Sequence, residues 1–217
     1  MDSKELIARR VAREIRPGSL VNLGIGLPSM VANFVPASAG VFFQAENGVI
    51  GLGARPPEGM EDRHLTDAGG GFVTAVPGAA SIDSAMSFGL IRGGHLDMTV
   101  LGGLQVDARG YLANWKVPGK MVPGMGGAMD LVTGAARVVV AMQHAARGES
   151  KIVPELTLPL TALRRVDLVV TDLAVIEPMK EGLFLRERAP GVSVDTIVAA
   201  TAARLVITDH VPEMILA

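Results

Sequence analysis

Short apolar runs alternate along the chain with amphipathic stretches and glycine-rich turns. At the start, Ile7, Val11 and Ile15 recur at helical spacing among charged side chains, and Pro17-Gly18 ends the pattern. Similar patterns predict further helices at 27–35, 81–94 and 193–202, and one opened by the glycine-rich segment 119–135. Apolar runs predict strands at 20–26, 41–47, within 95–107, 136–144, 166–178, 182–190 and 204–210.

This alternation predicts an α/β fold, a single layered domain over residues 1–217 with a mostly parallel sheet flanked by helices. The 182–190 segment is expected to add an antiparallel edge. In open sheets of this kind, ligands bind outside the carboxyl ends of the strands. Polar and glycine residues follow three apolar runs, in "NLGIG", "QAENG" and "LGGLQ", so we expect these loops to share one crevice.

Composition narrows the class of protein. With 217 residues, 49% apolar and 19% charged, the chain can bury a large core without metals or disulfides, and it contains no cysteine. A net charge of −2 with no basic stripe argues against nucleic acid. Residues 1–15 carry charges throughout, unlike a signal peptide, and no run of about 18 apolar residues suggests a membrane span. We expect a cytoplasmic protein.

Glu46 is the residue on which the functional interpretation turns. It stands where an apolar strand stops, in "FFQAENGVIGLG", with Gly48 close behind it. Such a carboxylate can be a metal ligand, a general base, a nucleophile or a plain surface charge. The four histidines show no metal-binding spacing, and no G-x-S-x-G motif is present, so we expect no metal site and no serine triad.

A carboxylate nucleophile fits these surroundings best. It is ionised at neutral pH and needs no adjacent base, and its attack on a carbonyl gives an acyl-enzyme. The developing oxyanion needs backbone N–H donors, which glycine turns provide. Two such turns precede predicted helices: "LGIGLP", with Gly24 and Gly26, and "GMGGAM", with Gly126 and Gly127.

Six motifs, in order, resemble the B (beta) subunit of family I CoA-transferases of the acetate/butyrate–acetoacetate and succinyl-CoA:3-oxoacid types. These motifs are "VNLGIGLPSMVANFVP", "ENGVIGLG", "DSAMSFGLIRGGH", "LGGLQVD", "LANWKVPGKMVPGMGGAMDLV" and "TLPLTA", and they cover most of residues 1–163. The resemblance implies a ribose-5-phosphate-isomerase/CoA-transferase-like fold.

The resemblance also implies site residues. Glu46 would be the catalytic nucleophile, and the second glycine turn would supply backbone oxyanion donors at Gly127 and Gly126. Neighbouring candidates in the loops at the same edge are Asn47, Gly48, Gly24, Gly26, Gly103 and Gln105. Two positions depart from the family pattern: Ala45 replaces a serine, and Gly70 stands where some relatives have a lysine.

The implied activity is a ping-pong exchange of coenzyme A between a short-chain acyl-CoA or 3-oxoacyl-CoA and a carboxylic acid, as in short-chain fatty acid and ketone body metabolism. Coenzyme A would be a substrate and form a covalent thioester, with no permanently bound cofactor. The resemblance implies a partner A (alpha) subunit, in a heterodimer or heterotetramer.

The residues leave two other functions open. A phosphosugar isomerase-like enzyme would use Glu46 as a general base, and a non-catalytic ligand-sensing domain would not need its chemistry. The acid and acyl-CoA pair is also open, with a slight preference for acetate or butyrate and acetoacetyl-CoA.

Overall fold

The computed structural model describes residues 1–119 and 126–217. Its helices are α1 (Ser3–Ala12), α2 (Ser84–Arg92), α3 (Ala128–Gly134) and α4 (Val194–Ala200), with 3₁₀ turns at Pro28–Phe34 and Ala37–Ala39. Its strands are β1 (Leu20–Leu23), β2 (Phe42–Gln44), β3 (Val49–Leu52), β4 (Ala75–Ser81), β5 (Met98–Leu101), β6 (Gln105–Asp107), β7 (Leu112–Ala113), β8 (Arg137–Ala141), β9 (Ala145–Ala146), β10 (Glu149–Ser150), β11 (Ile152–Val153), β12 (Leu168–Val170), β13 (Ala174–Met179), β14 (Gly182–Arg188) and β15 (Leu205–Ile207).

Ten of the strands in these described ranges form one sheet, in the order β15-β14-β13-β12-β8-β5-β1-β2-β3-β4. Its middle, from β12 through β8, β5 and β1 to β2, is parallel throughout. Antiparallel strands extend it on both sides, and β15 pairs parallel with β14 at one edge. A small sheet of β11, β6 and β7 and a β9–β10 hairpin complete the strands.

The central strands are buried on both faces, which explains why they are apolar without alternation. In β8, Val138 and Val140 pack into the cluster that contains residues of α2, α3 and α4, whereas Val139 packs into the cluster beneath α1. All three valines are fully buried. Successive side chains therefore serve opposite layers, as the period of a strand requires.

The predicted fold class is confirmed, and the differences are local. The 166–178 segment, predicted as one strand, is two antiparallel strands, because Thr171 Oγ1 accepts the N–H groups of Leu173 and Ala174 and closes a tight turn. The predicted helix at 27–35 is a 3₁₀ helix that begins at Pro28. The predicted 182–190 edge is antiparallel to β13 but lies inside β15.

The same predictions omitted β3 and β4 altogether. The α4 helix begins as predicted, with Ser193 Oγ accepting the Thr196 N–H. Of the residues described, no helix is long and apolar enough to cross a lipid bilayer.

Candidate active site at the carboxyl ends of the central strands

Glu46 lies in the tight turn that joins β2 to β3. The Ala45 carbonyl accepts the Gly48 N–H at 3.0 Å, and Ala45 N–H donates to Val49 at 2.9 Å. Gly48 has φ +115°, and a Cβ there would stand 2.0 Å from the carbonyl oxygen of Ile82. Only glycine fits this backbone, and the close contact with Ile82 fixes where the half-buried Glu46 leaves the sheet.

A buried row of polar side chains lies beneath the carboxylate. Thr99 on β5, Asn22 on β1 and Gln44 on β2 are direct partners across the parallel strands, and each is 0% exposed. Thr99 Oγ1 donates to Asn22 Oδ1 at 3.2 Å. Asn22 Nδ2 reaches Gln44 Oε1 at 2.9 Å and Glu46 Oε2 at 3.1 Å. Gln44 Nε2 donates to Ser87 Oγ on α2 at 2.8 Å. We call Thr99, Asn22, Gln44 and Ser87 the buried polar row.

Gly127 lies on the other side of the same carboxylate. A Cβ built on Gly127 would stand 3.4 Å from Glu46 Cγ, 3.5 Å from its Oε1 and 3.4 Å from the Phe88 ring. The Arg92–Asp130 ion pair, at 2.7 Å, joins α2 to α3, the helix that begins directly after Gly127. The predicted proximity of Glu46 to the second glycine turn is therefore observed at Gly127; residues 124 and 125 lie outside the described ranges.

Two further loops border the same edge. Gly24 follows β1, and its N–H donates to Val100 on β5 at 2.8 Å. Asn47 Nδ2 donates to the Thr66 carbonyl at 2.8 Å and ties the Glu46 turn to the long loop before β4. That loop reaches back to the first glycine turn, because a Cβ on Gly69 would stand 3.2 Å from Ile25.

The structure gives no contact with Glu46 for the other predicted site residues that it describes. Gly26 has φ +86° with open space around it, and Gly126 has φ +56°, both in the left-handed region that favours glycine. A Cβ on Gly103 would stand 2.7 Å from Met142 Sδ, so close packing accounts for this glycine. Gln105 Oε1 accepts the N–H groups of Thr157 and Leu158. Their roles in a site stay predictions.

His144, at the end of β8, has a structural environment. It is 1% exposed, with ring nitrogens 3.0 Å from Thr171 Oγ1 and 2.9 Å from Thr201 Oγ1. Burial lowers the pKa of His144, and the nearby Asp172 carboxylate only partly opposes this effect. Across the described part of the chain, no three His, Asp or Glu side chains are grouped as metal ligands would be.

Sequence reasoning missed the buried polar row. Its signal was a single polar residue within or at the end of each of three apolar strands, in "VNL", "FFQ" and "MTV". A polar side chain at such a position needs a partner once it is buried.

The site as a whole presents the two oxygens of the Glu46 carboxylate, one hydrogen-bonded by the Asn22 amide and the other facing the Gly127 backbone. This arrangement suits nucleophilic attack on a carbonyl.

Comparison with known proteins identifies the family. The family model described as Coenzyme A transferase matches residues 4–200. The chain is 55% identical over 205 residues to the beta subunit of the acetate CoA-transferase of Escherichia coli K12, covering 94% of each. It is 49% identical over 201 residues to the B subunit of the succinyl-CoA:3-ketoacid coenzyme A transferase of Helicobacter pylori 26695, covering 92% of this chain and 97% of that one.

A solved structure agrees with these relatives. The acyl-CoA transferase apoenzyme of Escherichia coli O157:H7 superposes with a TM-score of 0.80 at 25% identity. The match covers 99% of this chain, which spans 43% of the length of the solved chain. The family predicted from the motifs is confirmed: the chain belongs to the coenzyme A transferase family.

Proposed function

We propose that this chain is the catalytic B-type subunit of a CoA-transferase that moves coenzyme A between a short-chain acyl-CoA or 3-oxoacyl-CoA and a free carboxylic acid. The observation that carries the proposal is the placement of the Glu46 carboxylate between Asn22 and the Gly127 backbone. Both of its oxygens lie at the edge of the sheet where ligands of open α/β folds gather.

The proposed reaction is ping-pong and passes through a glutamyl-CoA thioester. A Glu46 oxygen attacks the thioester carbonyl of the acyl-CoA, the C–S bond breaks, and a mixed anhydride and CoA thiolate result. The thiolate then attacks Glu46 Cδ, the anhydride C–O bond breaks, and the first acid leaves. A second carboxylate reverses these steps and departs as its CoA ester, so one thioester is exchanged for another.

The glycine turn has a defined part in this scheme. Each attack places negative charge on a carbonyl oxygen, and preorganised backbone N–H groups stabilise such charge strongly in a site with little water. Gly126 and Gly127 are the glycines of this turn that the structure describes, and the absence of a side chain at Gly127 leaves room for a thioester beside Glu46. We assign these two residues as the backbone donors.

A partner A subunit is part of the proposal. The Escherichia coli K12 and Helicobacter pylori relatives are named as beta or B subunits, and this chain spans nearly all of each. By contrast, it spans 43% of the solved acyl-CoA transferase chain, which leaves room in that chain for a second half of similar size. The two relatives differ in their named acids, so the acid used by this chain is to be determined by an exchange panel.

The test is covalent trapping on Glu46. The chain, co-expressed with its partner subunit, is incubated with acetoacetyl-CoA without acceptor acid, and peptide mass spectrometry locates a CoA adduct or its borohydride-reduction product. We expect modification at Glu46, and loss of both adduct and turnover in Glu46→Gln. The control is Glu58→Gln, the same change at an exposed position in the long loop, which should leave both intact.

The same experiment decides between the candidate functions. A general base of an isomerase would stay unmodified after incubation with acyl-CoA. A ligand sensor would bind acyl-CoA equally with and without the Glu46→Gln change. An unmodified Glu46 in the active complex would therefore refute the proposed mechanism.

A further inference from the structure

We infer that Asn22 is a further catalytic residue: its side-chain N–H holds Glu46 Oε2 as the carbonyl oxygen of the glutamyl intermediates, which leaves Oε1 as the attacking atom. This inference rests on the proposed function. It starts from the different surroundings of the two oxygens. Oε2 accepts from Asn22 Nδ2 at 3.1 Å, whereas Oε1 faces the Gly127 backbone, 3.5 Å from where a Cβ would be.

Asn22 is held in one orientation by its neighbours. Its Oδ1 accepts from the hydroxyl of Thr99, so its Nδ2 must face Gln44 and Glu46. A flipped amide would place an oxygen against the Gln44 and Glu46 oxygens and leave the Thr99 hydroxyl without its acceptor. Because Asn22 and Thr99 are both 0% exposed, water cannot compensate for that loss.

Gln44 also fixes the orientation of the Asn22 side-chain amide. Its Nε2 hydrogens go to the Ala45 carbonyl at 2.8 Å and to Ser87 Oγ at 2.8 Å, so its Oε1 is turned toward Asn22. The two hydrogens of Asn22 Nδ2 are thus shared among three acceptors: the Gln44 carbonyl, Gln44 Oε1 and Glu46 Oε2. The donor aimed at Glu46 is in place before any substrate arrives, which is the condition for effective charge stabilisation.

The chemistry assigns the donor to the steps in which Glu46 Cδ itself is attacked. When Oε1 attacks the thioester, the new C–O bond forms at Oε1 and the glutamyl C=O is completed at Oε2. When the CoA thiolate then attacks Glu46 Cδ, the C=O electron pair moves onto Oε2, and the tetrahedral centre collapses by breaking the bond from Cδ to Oε1. The charge on Oε2 appears 3.1 Å from Asn22 Nδ2 in the resting geometry.

The test measures how fast the enzyme–CoA adduct forms in a single turnover. The reconstituted complex is mixed with acetoacetyl-CoA, quenched at set times, and the adduct is quantified by intact mass. Asn22→Asp removes the donor at constant size, and we expect adduct formation at saturating acetoacetyl-CoA to slow by about 10²–10³-fold. The acetoacetyl-CoA concentration that gives half of the maximal rate should change little. Part of this loss should be recovered at lower pH, since a protonated carboxyl can donate again.

Two threonine variants give the comparison. Thr99→Val keeps the donor but removes the hydroxyl that orients Asn22, and we expect about tenfold slower adduct formation with no recovery at low pH. Thr161→Val removes another threonine–asparagine hydrogen bond, 2.8 Å to Asn114 Oδ1, together with the acceptor of the Asn114 N–H. Neither residue hydrogen-bonds to Glu46 or Asn22, so this variant should form adduct at the wild-type rate.

The outcomes separate this inference from the proposed function. If the wild-type complex forms no adduct, the proposed function fails and the inference with it. If the wild type forms adduct and Asn22→Asp and Thr99→Val both match its rate, only the inference is overturned. If circular dichroism shows that Asn22→Asp does not fold, the rate of Thr99→Val relative to Thr161→Val decides.

Discussion

Gly127→Ala should separate the stability of the protein from its activity. At φ −83°, Gly127 has a backbone that alanine adopts without strain. The added methyl would meet Glu46 Cγ and the Phe88 ring at 3.4 Å, which is van der Waals contact and not a clash. A glycine-to-alanine change at a compatible position stabilises a protein by about 0.4–1 kcal/mol, because the unfolded chain loses freedom.

The same methyl occupies the space that the reaction needs. It would stand 3.5 Å from Glu46 Oε1, and a reacting carbonyl carbon has to come within about 3–3.5 Å of the attacking oxygen. The methyl group and the carbonyl carbon of the substrate cannot both occupy this position, so the thioester would have to bind in a displaced position. A displacement of about 1 Å costs roughly 10²-fold in rate, or about 2.7 kcal/mol of activation free energy.

The assay pairs steady-state CoA exchange with thermal unfolding of the complex. We expect Gly127→Ala to lower kcat by about 10²-fold while Tm is unchanged or slightly raised. Gly89→Ala is the matched control: its methyl would point into open space on α2, so activity should be retained. If Gly127→Ala exchanged CoA at the wild-type rate, the assignment of the reaction to this face of Glu46 would be refuted.

Two further predictions concern stability. Gly48→Ala should prevent folding or lower the free energy of unfolding in urea by several kcal/mol, because its Cβ would stand 2.0 Å from the Ile82 carbonyl oxygen at φ +115°. The control Gly40→Ala, at φ +61° in open space, should lower it by about 1–2 kcal/mol. Equal losses of stability in the two variants would contradict the packing argument. For His144, whose pKa burial lowers, the unfolded chain takes up a proton below about pH 6.5 that the folded state resists, so the free energy of unfolding should fall as pH drops from about 6.5 toward the lower folded pKa. His144→Gln should flatten this dependence in urea titrations at pH 7.5 and 5.5, and an unchanged dependence would contradict the assignment.

Local pattern was sufficient for the elements that a single stretch of chain specifies. The run "RVVVA" indicated a strand, and β8 is one; its burial on both faces is seen in the structure. Ser193 indicated a helix start, and its side chain caps α4. Apolar strand ends followed by glycine indicated the ligand edge, and parallel pairing brings the loops after β1, β2 and β5 to the same edge of the sheet.

Local sequence pattern did not predict the secondary structure where contacts with a distant segment determine it. The strands β3 and β4 pair with each other beside β2, and the glycines and alanines in "AVPGAAS" carry little strand signal of their own. The 166–178 run looked continuous because the turn at Thr171 depends on a side-chain acceptor, which periodicity does not register.

The family, the fold class and the place of Glu46 just after a strand end can all be predicted from the amino-acid sequence, because motifs and strand ends are properties of contiguous residues. The arrangement of Asn22, Gln44 and Thr99 in one row beneath that carboxylate cannot. These residues are far apart along the chain, and the register of the folded parallel strands is what makes them neighbours. Once buried side by side, their amides and hydroxyl must pair with one another, and that requirement gives the two oxygens of Glu46 different surroundings.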